Sequence, residues 1–117
     1  MRDFRKLEIW SEAIMMTKAV YDLTSLFPVH EKYGLCSQMN RAAVSIPSNI
    51  AEGCSRRTNL EFSRFLEIAL GSSFELETQI EISKRVLYIS QESYETVLNE
   101  LHTLQKRVNA YKEKLKE

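Results

Sequence analysis

SYETVLNELHTLQKRVNAYKEKL, residues 93–115, sets Tyr94, Val97, Leu101, Leu104, Val108, Tyr111 and Leu115 at alternating steps of three and four. An apolar seam with that spacing, held over three heptads, predicts one long helix packed at a shallow angle on its neighbours. Ser90 is a credible N-cap, and Glu92 falls in the first turn, where the helix dipole favours an acid. The stretch therefore points to a helical bundle, and the rest of the chain can be read against that expectation.

The N-terminal segment repeats the pattern with Leu7, Trp10, Ile14, Thr17 and Tyr21, widened by Ala13 and Val20. It should end near Phe27, because Pro28 cannot continue a helix and disfavours helical backbone just before it. A third helix is predicted from Thr58, where TNLE has the capping-box arrangement with Glu61, running to about residue 89. One of its faces carries Phe62, Leu66, Ala69, Ser73, Leu76, Ile80 and Leu87. Ile68, Phe74, Ile82, Val86 and Ile89 are apolar as well and lie off that face. A helix of a lone bundle needs a single stripe, so this second apolar face predicts cover by another subunit.

The second helix, about 33–54, contains RAAVSIPSNIAEG at 41–53. Leu35, Met39, Ala42, Ala43, Ile46, Ile50 and Gly53 gather on one side at 100° per residue. Gln38, Arg41, Ser45, Ser48 and Glu52 form a polar line on the other. Pro47 removes one backbone N–H and presses on the carbonyl of Ala43. Ser45 and Ser48 are the expected sources of replacement hydrogen bonds, while Ala42, Ala43 and Gly53 allow a neighbouring helix to approach. The line Arg41, Ser45, Ser48, Glu52 is a candidate subunit contact, with Arg41 and Glu52 too far apart on one helix to pair.

Helices at about 5–26, 33–54, 59–89 and 91–116 joined by short links predict an all-α, antiparallel up-down-up-down four-helix bundle, one domain over residues 1–117. Three glycines and two prolines in 117 residues supply too few turns for a β-sandwich or barrel. The chain is long enough for a real core.

Charge narrows the function classes. Sixteen basic and sixteen acidic residues cancel, which counts against a protein built to coat nucleic acid. The charge is nevertheless uneven. Residues 75–100 are acidic, with Glu75, Glu77, Glu81, Glu92, Glu95 and Glu100, and the last turns are basic, with Lys106, Arg107, Lys112, Lys114 and Lys116. MRDFRKLEIW has no apolar core after its basic start, and no run approaches the ~20 apolar residues of a membrane span. Cys36 and Cys54, about 27 Å apart along one predicted helix, cannot bridge within the chain. Free thiols suit a reducing compartment, and a cytoplasmic location is expected.

Catalytic constellations are not apparent. A di-iron bundle needs Glu-x-x-His pairs, but His30 has Phe27 and His102 has Asn99 at that spacing. No clustered zinc ligands and no glycine-rich phosphate loop occur, and Gly71-Ser72-Ser73 reads as a close helix contact. Neither Ser45 nor Ser48 has a histidine near in sequence to activate it. Met15, Met16 and Met39 read as core filler. The expectation is a protein that is not an enzyme, with no catalytic residues, metal or cofactor. Arg56, Arg57 and Arg64 crowd the start of the third helix as candidate nucleic-acid contacts, unless Glu61, Glu67 or a neighbouring subunit pairs with them.

Q-x-x-RAAVSIPSNIAEG from Gln38 and R…F-x-R-F-L-x-I-A-L-G-S-x-x-E-L-E-T across 57–78 strongly resemble the bacterial four-helix-bundle proteins associated with intervening sequences of 23S ribosomal RNA genes. F-x-x-L-x-I-W-x-x-A at 4–13 and FP-x-x-E-x-Y-G-L at 27–35 fit the same pattern. The resemblance covers almost the whole chain. It implies a ring-like homopentamer without a defined biochemical activity, and kinship with the accessory protein of diversity-generating retroelements, whose pentamer binds a reverse transcriptase and nucleic acid. Two readings follow: an oligomeric scaffold presenting a repeated surface to a protein partner, or an RNA- or DNA-binding accessory of a nucleic-acid enzyme such as a reverse transcriptase.

Overall fold

The computed structural model describes residues 2–116. Four helices, α1 (Glu8–Thr24), α2 (Leu35–Cys54), α3 (Asn59–Arg85) and α4 (Gln91–Lys114), run antiparallel in chain order. Each packs on its neighbours in sequence, and α1 meets α4 to close the bundle. Single 3-10 turns at Phe4–Lys6 and Val29–Glu31 lead into α1 and α2. No strand occurs among the described residues.

The core follows the helical spacing on three helices. Val97, Leu101, Leu104 and Val108 are buried on α4, with Tyr94, Tyr111 and Leu115 packed at its edge. Met39, Ala42, Ala43, Ile46 and Ile50 are buried on α2, and Phe62, Leu66, Ala69, Leu76 and Ile80 on α3. On α1 the inward stripe differs from the one expected. It is Ile9, Ala13, Met16, Val20 and Thr24, while Ile14, Met15 and Tyr21 face out. Two stripes overlap on this helix. The one with small Ala13 and Val20 at its centre lets α1 settle closely on α2.

The capping signals are realised. The Glu61 N–H donates to Thr58 Oγ1 at 3.1 Å, and the Ser93 N–H to Ser90 Oγ at 3.1 Å. The α1 start and the α3 end depart from the reading. α1 begins at Glu8 because the 3-10 turn precedes it, with Asp3 Oδ1 accepting from the Arg5 N–H. α3 stops at Arg85 instead of continuing to 89. The Tyr88 N–H donates to the Ser83 carbonyl at 2.9 Å and the Leu87 N–H to the Lys84 carbonyl at 3.1 Å, a Schellman closure. Leu87 sits at φ 67°, where glycine is the usual occupant, and its side chain is exposed instead of buried. Ile89 folds back against the core. Replacing Leu87 with glycine removes the left-handed strain without removing buried surface. Leu87→Gly should therefore stabilise the chain by about 0.5–1 kcal/mol, read as a higher urea midpoint at unchanged m.

Pro47 is accommodated in a way the local sequence does not show. α2 continues across it, and the carbonyl it leaves without a helical donor, that of Ala43, accepts from Thr17 Oγ1 on α1 at 3.1 Å. Ser48 is exposed and plays no part; Asn49 Nδ2 donates to the Ser45 carbonyl at 2.8 Å. Gly53 lies so close to α3 that a Cβ there would come within 2.7 Å of Phe62 Cδ1.

Candidate functional site

The sequence candidates on α2 and α3 fall on one side of the molecule. Ser45 Oγ and Ser72 Oγ lie 2.8 Å apart across the α2–α3 seam, which sets the polar line of α2 beside the outward side of α3. Ser45 is thereby half-buried and committed within the chain, whereas Arg41, Ser48 and Glu52 stay exposed. Glu52 pairs with Arg56 at 3.5 Å, one turn along its own helix. Arg41 on α2 and Glu75 on α3 lie on the same side of the Ser45–Ser72 contact, about one turn from it along antiparallel helices, and neither has an ion-pair partner among the described residues.

At 100° per residue, Leu60, Arg64, Ile68, Gly71, Phe74, Glu75, Thr78, Ile82 and Val86 share the outer side of α3, and all nine are exposed. Ile68 is 51% exposed, Phe74 56%, Ile82 45% and Val86 48%. A contiguous apolar stripe left open along a helix is the kind of surface that a partner or another copy can cover. Gly71, at its centre, has no atom within 4 Å of where a Cβ would stand, so it is not the close contact within the chain that its sequence suggested. Glycine inside a helix costs about 1 kcal/mol against alanine, and no packing within this chain explains it.

A second open surface lies between α1 and α2, a groove of about 1050 Å³ whose lining mixes apolar side chains such as Tyr21, Val29, Tyr33 and Val44 with polar ones such as Ser25, Lys32, Asn40 and Arg41. Between α3 and α4 the surface is polar and braced. Glu77 accepts from Gln105 Nε2 at 3.0 Å and faces His102 Nε2 at 3.2 Å. The Gln105 bond leads in holding the Glu77 carboxyl below its ordinary value, against partial burial. A lowered carboxylate contributes stability above its unfolded pKa near 4.5 that is lost as pH falls through the folded value. The stability gap between the native chain and Glu77→Gln should therefore narrow below pH 4.5 in urea titrations, with the native chain the more stable at pH 7.

The basic corner is assembled differently from the sequence reading. Arg56 lies with its guanidinium carbon 4.7 Å from the Phe65 ring centre and pairs with Glu52. Glu61 serves the α3 cap, and Glu67 pairs with Lys112 at 3.6 Å, so neither neutralises the arginines. Arg57 and Arg64 are exposed and carry no ion pair among the described residues. Arg2 joins them: its N–H donates to the Cys54 carbonyl, its Nη2 to Asn59 Oδ1 at 2.8 Å, and its guanidinium lies over Phe62. No periodicity could have placed Arg2 there, since a backbone bond pins the arm.

Both cysteines are free and buried, and burial pushes their thiols up. No group of three or more metal-ligating side chains occurs among the described residues, and none of their helices is long and apolar enough to cross a membrane.

The sequence pattern of the 23S rRNA-intervening sequence proteins matches residues 5–110. The chain belongs to that family. A solved structure from Bacteroides thetaiotaomicron, a protein of unknown function from the S23 ribosomal protein family, shares the fold with a TM-score of 0.81 and 24% identity. The match covers 89% of this chain and 97% of that one. A search of curated proteins finds no match. Neither this family nor its structural neighbour carries a defined enzymatic activity in its description.

Proposed function

We propose that this 23S rRNA-intervening sequence family member is a non-enzymatic cytoplasmic scaffold that assembles with copies of itself and presents a repeated surface to a protein partner. The observation that carries the reading is the exposed apolar stripe on α3 with an open glycine at its centre. Burying about 25 cal/mol per Å² of apolar surface favours covering such a stripe, and Gly71 lets another backbone come close. A homopentamer is the number the family resemblance implies. Two free, buried thiols agree with a reducing compartment.

Light scattering tests the reading: the native chain should give a mass near five times the 13.6 kDa of one chain. A mass of one chain would refute self-assembly. Gly71→Ala separates the glycine's two effects. The dissociated chain should gain about 0.5–1 kcal/mol in urea, while the assembled mass falls at a given concentration.

A second reading, RNA or DNA binding at Arg56, Arg57 and Arg64, draws on the arrival of Arg2 at the same corner. Phosphate contacts weaken steeply with salt. Binding to mixed nucleic acid at low salt that Arg57→Glu and Arg64→Glu abolish would favour it; absence of binding at low salt would end it.

A further inference from the structure

We propose that the open seam between α1 and α4 is the face this scaffold offers to its protein partner, and that it takes one amphipathic helix lying parallel to α1. The inference rests on the scaffold reading above and names the surface and the kind of partner.

The helices pack in a closed cycle, so the α1–α4 seam lies across the bundle from the α2–α3 seam that carries the self-assembly candidates. α1 and α4 also touch least of the four neighbouring pairs. Three hollows of about 320, 450 and 320 Å³ follow one another along their seam, from the Leu26 end to the Leu7 end. Glu100 borders the first two and Arg107 the last two, so the hollows form one groove along α1. Its open surface is mostly apolar. Met15 is 69% exposed over the middle hollow, so it is not the core filler its sequence suggested, and Leu26 stands exposed at one end. A flexible thioether at the mouth of a groove suits contact with a helix from another protein.

Charge selects the occupant. Arg107 crosses the groove to Glu12 and Glu8, and Asp22 pairs with Lys18, so those lining charges are spent within the chain. The lining charges without an ion pair among the described residues are Glu92 and Glu100 towards the Leu26 end, and Lys6 and Lys114 at the Leu7 end. A helix favours acids in its first turns and bases in its last. Such a helix meets opposite charge at both ends when it starts beside Lys6 and Lys114 and finishes beside Glu92 and Glu100, which is the direction of α1. α1 has 17 residues, about 26 Å at 1.5 Å per residue, so the partner segment is a helix of about five turns with apolar anchors on one face.

A designed peptide of that length tests it, with leucines at helical spacing, glutamates in its first half and lysines in its second. The control has the same composition with the two charges alternating along it. Fluorescence anisotropy should show the first peptide binding the native chain about tenfold tighter than the control. Met15→Glu should weaken binding by about tenfold or more and leave the assembled mass unchanged; Thr103→Glu repeats this arm should Met15→Glu fail to fold by circular dichroism. Trp10, the only tryptophan, stands near the Leu7 end. Its energy transfer to a dansyl group should be stronger from the peptide's N-terminus than from its C-terminus. Equal binding of the two peptides, no binding, or the opposite order of transfer overturns the inference. If Met15→Glu and Thr103→Glu lower the assembled mass to the 13.6 kDa of one chain, another copy covers the seam; the partner helix is overturned and self-assembly stands. A native chain at one chain's mass that still prefers the first peptide refutes self-assembly and supports the seam.

Discussion

Gly53→Ala should destabilise the chain by about 2 kcal/mol. The added Cβ would stand 2.7 Å from Phe62 Cδ1 and 2.9 Å from Phe65 Cβ. Neither neighbour can yield cheaply. Phe62 is fully buried, with the Arg2 guanidinium over one side and Tyr111 at 5.7 Å between ring centres. A Cβ moves only with its backbone, so relief at Phe65 means shifting α3 itself. Overpacking costs about 1–3 kcal/mol, and this site belongs at the upper end because α2 and α3 would have to part where a short link joins them. Alanine returns up to about 1 kcal/mol of helix propensity, which leaves the net loss. Urea unfolding should show a lower midpoint at unchanged m. An unmoved or raised midpoint would mean that the two helices separate there without cost. Gly71→Ala is the internal contrast: the same replacement inside a helix, with open space around it, should act in the opposite direction.

The fold was legible wherever a helix repeats one clear stripe. Val97, Leu101, Leu104 and Val108 could face only inward, and the capping residues Thr58 and Ser90 are local signals that the structure uses as they stand. α1 was ambiguous for a physical reason: two apolar stripes overlap on it, and the choice between them depends on how small residues mesh with α2, which periodicity does not weigh. The end of α3 was illegible because its left-handed C-terminal residue is Leu87, so the usual glycine signal is missing.

Legibility of the candidate surface was divided in the same way. Ile68, Phe74, Ile82 and Val86 were identifiable as surplus apolar residues from one helix alone, and they are exposed. That α2's polar line lies beside them depends on the Ser45–Ser72 contact between positions 27 apart. The hollow between α1 and α2 and the arrival of Arg2 at the basic corner likewise exist only once helices and arm are packed. Single-helix patterns reveal what a face is made of. They do not reveal which faces become neighbours.

Thr17→Val should cost about 2 kcal/mol, nearly all of it through a proline on another helix. Pro47 has no N–H to give the Ala43 carbonyl, and Ala43 is fully buried, so water is a poor substitute. Thr17 Oγ1 lies 3.1 Å from that oxygen and 2.8 Å from the Ala13 carbonyl of its own helix. Valine keeps the shape and removes the hydroxyl, leaving a buried acceptor unsatisfied at about 1–3 kcal/mol. The Ala13 carbonyl still has its helical donor, so the loss falls on Ala43. The origin of the cost can be isolated. In a Pro47→Ala background, the new backbone N–H at position 47 can reach Ala43, and Thr17→Val should then cost less by about 1 kcal/mol or more. A double-mutant cycle in urea reads that coupling directly. If the two changes simply add, the threonine is packing and not a donor, and the tolerance of Pro47 in mid-helix must come from somewhere other than α1.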